Sequence, residues 1–93
     1  MSKRSPFDKR REILRSLLIG IRKQQNTTQD QLAKQLQKPQ SFVSKYESGD
    51  RTIDLVEAYQ ICQALNYQFM ELITGFEAEV NEEAAIYDSG KFY

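Results

Sequence analysis

Residues 38–51 read Lys-Pro-Gln-Ser-Phe-Val-Ser-Lys-Tyr-Glu-Ser-Gly-Asp-Arg, KPQSFVSKYESGDR. Proline at position 39 has the backbone angle of a first helical residue. Glycine at position 49 offers the left-handed conformation with which many helices end. The stretch between them therefore reads as a short helix. Val43 and Tyr46 are its inward candidates. Gln40, Ser41, Ser44 and Lys45 are left pointing outward, so one whole face of this helix is polar. Such a face needs either water or a polar partner.

Just upstream, Thr28 followed three residues later by Gln31 is a capping-box pattern, which opens a helix. That helix runs to about Leu36, with Leu32, Ala33 and Leu36 facing inward. Only Gln37 and Lys38 separate it from the stretch quoted above. So short a connection forces the two helices to cross steeply, as a helix-turn-helix does. The crossing needs a small residue where the helices touch, and Ala33 supplies it. Val43 supplies the aliphatic contact from the other side.

The rest of the chain frames this pair. Ser5 and Pro6 read as the cap and first residue of an earlier helix, with Asp8 in its first turn. Ile13, Leu14, Leu17, Leu18 and Ile21 form its apolar stripe, and Asn26 ends it. Asp54 and Glu57 form a second capping box, opening a fourth helix that carries Val56, Tyr59, Ile61, Cys62 and Leu65. A fifth helix, about Gln68 to Ile73, offers Phe69, Leu72 and Ile73, and Gly75 is expected to close it. No strand signal occurs before residue 76. The expected fold is all-α: a compact five-helix domain over residues 1–75, followed by a short acidic C-terminal tail over residues 76–93.

Composition narrows the function. A 93-residue chain can bury a modest core without metal or disulfide. A single cysteine, Cys62, allows no internal disulfide, which fits a reducing compartment. There is no histidine, so the commonest general base and transition-metal ligand are missing. With no serine or cysteine near a plausible base either, we expect no enzyme, no metal and no cofactor. No apolar run approaches the roughly 20 residues of a membrane span. The basic N-terminus (MSKRSPFDKRRE) lacks the apolar core of a signal peptide. A cytoplasmic protein is the expectation.

The net charge of zero conceals a division. Residues 1–51 hold twelve Lys and Arg against five Asp and Glu, a net of +7. Residues 52–93 hold one Lys against eight acids, a net of −7. An uneven split of this kind suggests a basic surface for a polyanion. An ordinary solvated helix face would be just as polar as Gln40, Ser41, Ser44 and Lys45. The tight turn and the basic half favour DNA. A helix entering the major groove must be slim and must present donors and acceptors. Glutamine suits adenine, lysine suits guanine or phosphate, and serine suits base edges or phosphate.

Thr28-Gln29-Asp30-Gln31-Leu32-Ala33, followed by Pro39-Gln40-Ser41-x-Val43-Ser44-Lys45-x-Glu47-x-Gly49-x-Arg51, resembles the phage-repressor or Cro-like helix-turn-helix proteins, the XRE family. The similarity covers about residues 10–74. It implies a lambda-repressor-like domain that binds operator DNA, usually as a homodimer, with its third helix in the major groove. Carried over residue by residue, it implies base-reading roles for Gln40, Ser41 and Lys45, and a position at Ser44 that varies between base and phosphate. It implies phosphate contacts at Gln29, Ser48 and Arg51, and a structural salt bridge between Arg22 and Glu47. The sequence departs from the family at Gln37, where a glycine is usual. If that position has a positive φ, glutamine carries strain on the order of 1 kcal/mol. Cys62, where the family often has alanine, reads as a small buried side chain.

Residues 76–93 fall outside the resemblance. Phe76, Val80, Ala84 and Tyr87 have helical spacing, so a sixth helix and a frayed tail are both readings. In a third, Ile86, Tyr87, Phe92 and Tyr93 dock on a protein partner. The expected function is a sequence-specific transcriptional regulator, a repressor on a palindromic operator. The alternatives are an antitoxin whose tail binds a toxin, a restriction-modification controller, and a protein-interaction module without DNA.

Overall fold

The computed structural model describes residues 8–87, with side chains through Glu83. Five helices follow in order: α1 (Lys9–Gln24), α2 (Gln29–Leu36), α3 (Gln40–Ser48), α4 (Leu55–Ala64) and α5 (Phe69–Tyr87). No strand occurs among the described residues. None of their helices is long and apolar enough to cross a membrane.

The helix ends follow from local chemistry. Thr28 and Asp54 each complete a capping box. Their side chains accept from the N–H of Gln31 and Glu57, whose own side chains accept from the cap N–H in return. Three connections use a residue at positive φ: Asn26 (54°), Gln37 (59°) and Asn66 (56°). In each, the following N–H reaches back five residues to a carbonyl, as Lys38 does to Ala33 at 3.0 Å, and closes the helix end. Gly49, at φ 94°, ends α3.

Two expected boundaries are corrected. Asp8, not Ser5, caps α1: its φ of −59° and ψ of 123° are non-helical, and its side chain accepts from the Arg10 N–H. Ser5 and Pro6 themselves lie outside the described residues. Gly75 does not end the last helix, which continues to Tyr87 with no positive φ at that glycine. A mid-helix glycine costs about 0.5–1 kcal/mol relative to alanine. Here Ile73 and Phe76, on either side of it, share an apolar wall with Leu14 and Leu72. That packing carries the helix through. Residues 76–87 thus continue α5 and do not form a separate helix, while Phe92 and Tyr93 lie outside the described residues.

The core draws on all five helices. Leu18, Ile21, Leu32, Val43, Ile61 and Leu72 are buried in one cluster with Ala33, Tyr46, Ala58, Cys62 and Leu65. Ala33 is 1% exposed, at the crossing where α2 packs on α3. Phe42, which the sequence pattern did not single out, is buried too. Conversely Val56 and Tyr59 of α4 are 63% and 47% exposed and stand outside the core. The buried stripe of α4 is the expected Ile61 and Cys62 together with Ala58, which the sequence pattern did not single out.

Candidate nucleic-acid interface

The outward face of α3 carries Gln40, Ser41 and Lys45 fully exposed, with Ser44 half-buried beside them. Ser44 and Ser48 are held by the helix itself. Ser44 Oγ donates to the Ser41 carbonyl at 3.3 Å, and Ser48 Oγ to the Lys45 carbonyl at 3.1 Å. Bonds of this kind keep short hydroxyl side chains close to the helix surface, so the face stays slim.

One flank of this face is tied to the interior by a relay. Arg22, on α1, donates from Nε and Nη2 to the two carboxylate oxygens of Glu47 on α3, at 2.7 and 3.0 Å. Both side chains are nearly enclosed, at 11% and 7% exposure. Its hydrogen bonds to the Glu47 carboxylate hold the Arg22 guanidinium charged, above its already high ordinary value. Arg22 Nη1 also donates to the Thr27 carbonyl at 2.9 Å, so the guanidinium is well satisfied. Glu47 then accepts from Gln29 Nε2 at 2.8 Å, and Gln29 Oε1 accepts from Gln40 Nε2 at 2.9 Å. Four side chains thus link the helix-one interior to the first exposed residue of α3. A side-chain amide has two N–H donors and one acceptor oxygen. After this relay Gln40 still has one N–H and its Oε1 to offer. Gln29 still has one N–H.

The other flank is built differently. Arg51, just past α3, donates to both oxygens of Glu57, at 3.1 and 2.9 Å, and to the Thr52 carbonyl at 2.9 Å. Hydrogen bonds from Arg51, then from the Asp54 N–H, hold the Glu57 carboxyl below its ordinary value. The Arg51 guanidinium also lies 4.6 Å from the Phe42 ring centroid, and Lys38 Nζ lies 5.0 Å from the same ring. Cations within about 6 Å of a ring face are attracted by its quadrupole. Lys38, Lys45 and Arg51 therefore line one cleft beside the outward face, with Asp50 as the only acid in it.

Sequence reasoning brought Gln29, Gln40, Ser41, Ser44, Lys45, Ser48 and Arg51 to this surface, and the structure groups them there. It missed Phe42 and Lys38, whose signal was the aromatic residue four positions after a lysine. It also missed that Gln29 and Arg51 are each hydrogen-bonded within the protein. Among the described residues no cluster of acidic, histidine or cysteine side chains could hold a metal. Cys62 is buried, and burial pushes its thiol up.

Two packed helices joined by a three-residue turn, the second with a polar outward face, point to the class: a helix-turn-helix DNA-binding domain. Comparison with known proteins agrees. The helix-turn-helix family profile matches residues 18–72. An XRE-family like protein from Pseudomonas syringae pv. tomato str. DC3000 is 34% identical, over 78% of this chain and 89% of that one, with a TM-score of 0.75. Two structures of the clp gene regulator ClgR from Corynebacterium glutamicum share the fold. One is 20% identical over 75% of this chain and 91% of its own, with a TM-score of 0.68. The other is 21% identical over 88% and 87%, with a TM-score of 0.71. No curated protein sequence matches significantly. The chain belongs to the XRE family of helix-turn-helix DNA-binding transcriptional regulators.

Proposed function

We propose that this protein is a cytoplasmic repressor that binds a palindromic operator as a homodimer, with α3 in the major groove. The observation that carries the reading is the relay ending at Gln40. Its free N–H and Oε1 are the two groups that adenine needs, one for N7 and one for the N6 amino group. Because Gln29 holds the amide, that pair is oriented before DNA arrives. Ser41, Ser44 and Lys45 continue the base-reading face. Gln29, Ser48 and Arg51 flank it as phosphate ligands, the remaining Gln29 N–H serving one strand and the Arg51 side serving the other. The basic character of residues 1–51 adds the long-range attraction that phosphate binding requires.

The test is selection of bound sequences from a random duplex pool with the full-length protein at about physiological salt. A palindrome with half-sites roughly 10 base pairs apart is expected. Gln40→Ala should then relax the preference at an adenine, by about 1–3 kcal/mol. Weak binding with no enriched sequence would overturn the reading.

A further inference from the structure

Ser48 and Arg51 flank α3 as phosphate ligands in the reading above, yet the loop they belong to has little left to give. The N–H groups of Gly49, Asp50 and Arg51 donate to the Tyr46 carbonyl, to Ser48 Oγ and to the Lys45 carbonyl. The Ser48 hydroxyl donates to the Lys45 carbonyl as well. Arg51 spends its charge on Glu57, and the exposed Asp50 adds a negative one. One side chain from another helix reaches this loop. Arg15, about two turns before Arg22 on α1, lies against Gly49. A Cβ added at Gly49 would meet Arg15 Cζ at 3.2 Å, Nη1 at 3.3 Å and Nε at 3.5 Å. Near-equal distances to three atoms of one plane mean that the guanidinium lies face-on over the glycine. Its N–H donors lie in that plane, so the packing leaves them free. Among the described residues Arg15 makes no hydrogen bond and no ion pair from its side chain. Arg22 and Arg51, the other arginines beside α3, each face a glutamate.

We infer that Arg15, seated on Gly49, is a clamp for a phosphate of the DNA backbone beside the C-terminal end of α3. The inference rests on the DNA reading above and adds to it a contact from α1. A planar, permanently charged fork with free donors suits phosphate oxygens. Packing on the glycine also restricts the half-buried side chain before DNA arrives, so less freedom is lost on binding than by an arginine loose in water. Gly49 is then required twice, for its φ of 94° and for the room it leaves to the guanidinium. The contact carries no base information. It sets the register of α3 on the duplex and adds affinity for any sequence. Two arginines of α1 thus divide the work: Arg22 holds α3 to the body, and Arg15 holds the DNA to α3.

The experiment is a salt series of binding to the selected operator and to a random duplex, read by fluorescence anisotropy on the full chain. Arg15→Gln keeps a flat amide for Gly49 and removes the charge. Arg15→Ala is a second neutral variant, and Arg15→Lys keeps the charge without the fork. Urea unfolding of each variant runs beside the binding. Loss of one phosphate contact should make the log–log salt slope shallower by about 0.9 per bound chain in both neutral variants. Affinity should fall by the same factor on the two duplexes. Arg15→Lys should keep the wild-type slope and bind more weakly than arginine. Neutral variants that follow the wild-type slope would overturn the clamp. A cation at a helix C-terminus also steadies the helix dipole. That role alone would lower the urea midpoint, leave the slope intact and overturn the clamp too. Gln40→Ala separates the clamp from the reading it rests on. Base preference relaxed there, with the slope unmoved at position 15, removes the clamp and leaves the reading. A wild-type chain that holds neither duplex overturns both.

Discussion

Two arginine–glutamate pairs sit on either side of α3, and both are bidentate. Arg22 and Glu47 are 11% and 7% exposed. Arg51 and Glu57 are 40% and 18% exposed. The chemistry is the same and the distances are similar, yet the two pairs do different work. The enclosed pair ties α1 to α3, and its carboxylate also anchors Gln29 and through it Gln40. The open pair joins the loop after α3 to the first turn of α4. In water an ion pair is screened and adds little. Inside, neither partner can be removed without stranding the other.

The largest effect should therefore come from Glu47→Ala, which leaves the Arg22 guanidinium enclosed without its counter-charge. We expect a loss of about 3–5 kcal/mol in urea unfolding. Arg22→Met/Glu47→Leu removes both charges and should recover most of that stability. It should not recover DNA affinity, because Gln29 has then lost its anchor. A Glu47→Ala loss below about 1 kcal/mol would erase the distinction between the two flanks.

The second effect sharpens the comparison at the turn between α2 and α3. Gln37 holds φ 59° and ψ 43°, a conformation that costs a side-chain-bearing residue about 1–2 kcal/mol. Gln37→Gly relieves that strain but adds freedom to the unfolded chain, worth roughly 0.4–1 kcal/mol. The expected net lies between no change and a gain of about 1.6 kcal/mol. A net loss of stability would mean that the turn carries no such strain in solution.

A third substitution, Glu57→Gln, isolates the open pair. Glutamine can still accept from the Asp54 N–H, so the cap survives while the charge goes. The expected loss is below about 1 kcal/mol, falling further with added salt. A loss as large as that of Glu47→Ala would show that the loop is more enclosed than its exposure indicates.

These contrasts also explain what the sequence made legible. The capping boxes at Thr28 and Asp54, the small Ala33 at the crossing and the polar face of α3 were all readable, because each depends on near neighbours. So was the end of α1, since asparagine tolerates positive φ. Gly75 misled because its helix is held by Leu14 and Leu72, residues of no sequence proximity to one another. Val56 and Tyr59 misled in the opposite sense: apolar residues in a helix were read with its core stripe, yet both are exposed. The relay through Gln29 was invisible for the same reason. Which of its possible partners a glutamine chooses is settled by three helices meeting in space.

A third ion pair extends the comparison to one whose arginine is 67% exposed and whose carboxylate is 23% exposed. Asp8 caps α1 and accepts from the Arg10 N–H at 2.9 Å, and from the Arg10 guanidinium at 3.0 and 2.8 Å. These bonds, side chain first, lower its carboxyl from 3.8 to about 2. A folded value below the unfolded one means that the cap adds stability above about pH 3.8, which disappears as pH falls toward about 2. Carboxyl titration by NMR should place Asp8 near 2 in the intact chain. In Arg10→Ala it should move back toward 3.8, partly, because the backbone N–H remains. Such a side-chain pair in open solvent is easily broken, and salt should move the value in the same direction as the substitution. An Asp8 that titrates at its ordinary value in low salt would show that Arg10 swings free in solution. The cap would then stand on its backbone bond alone.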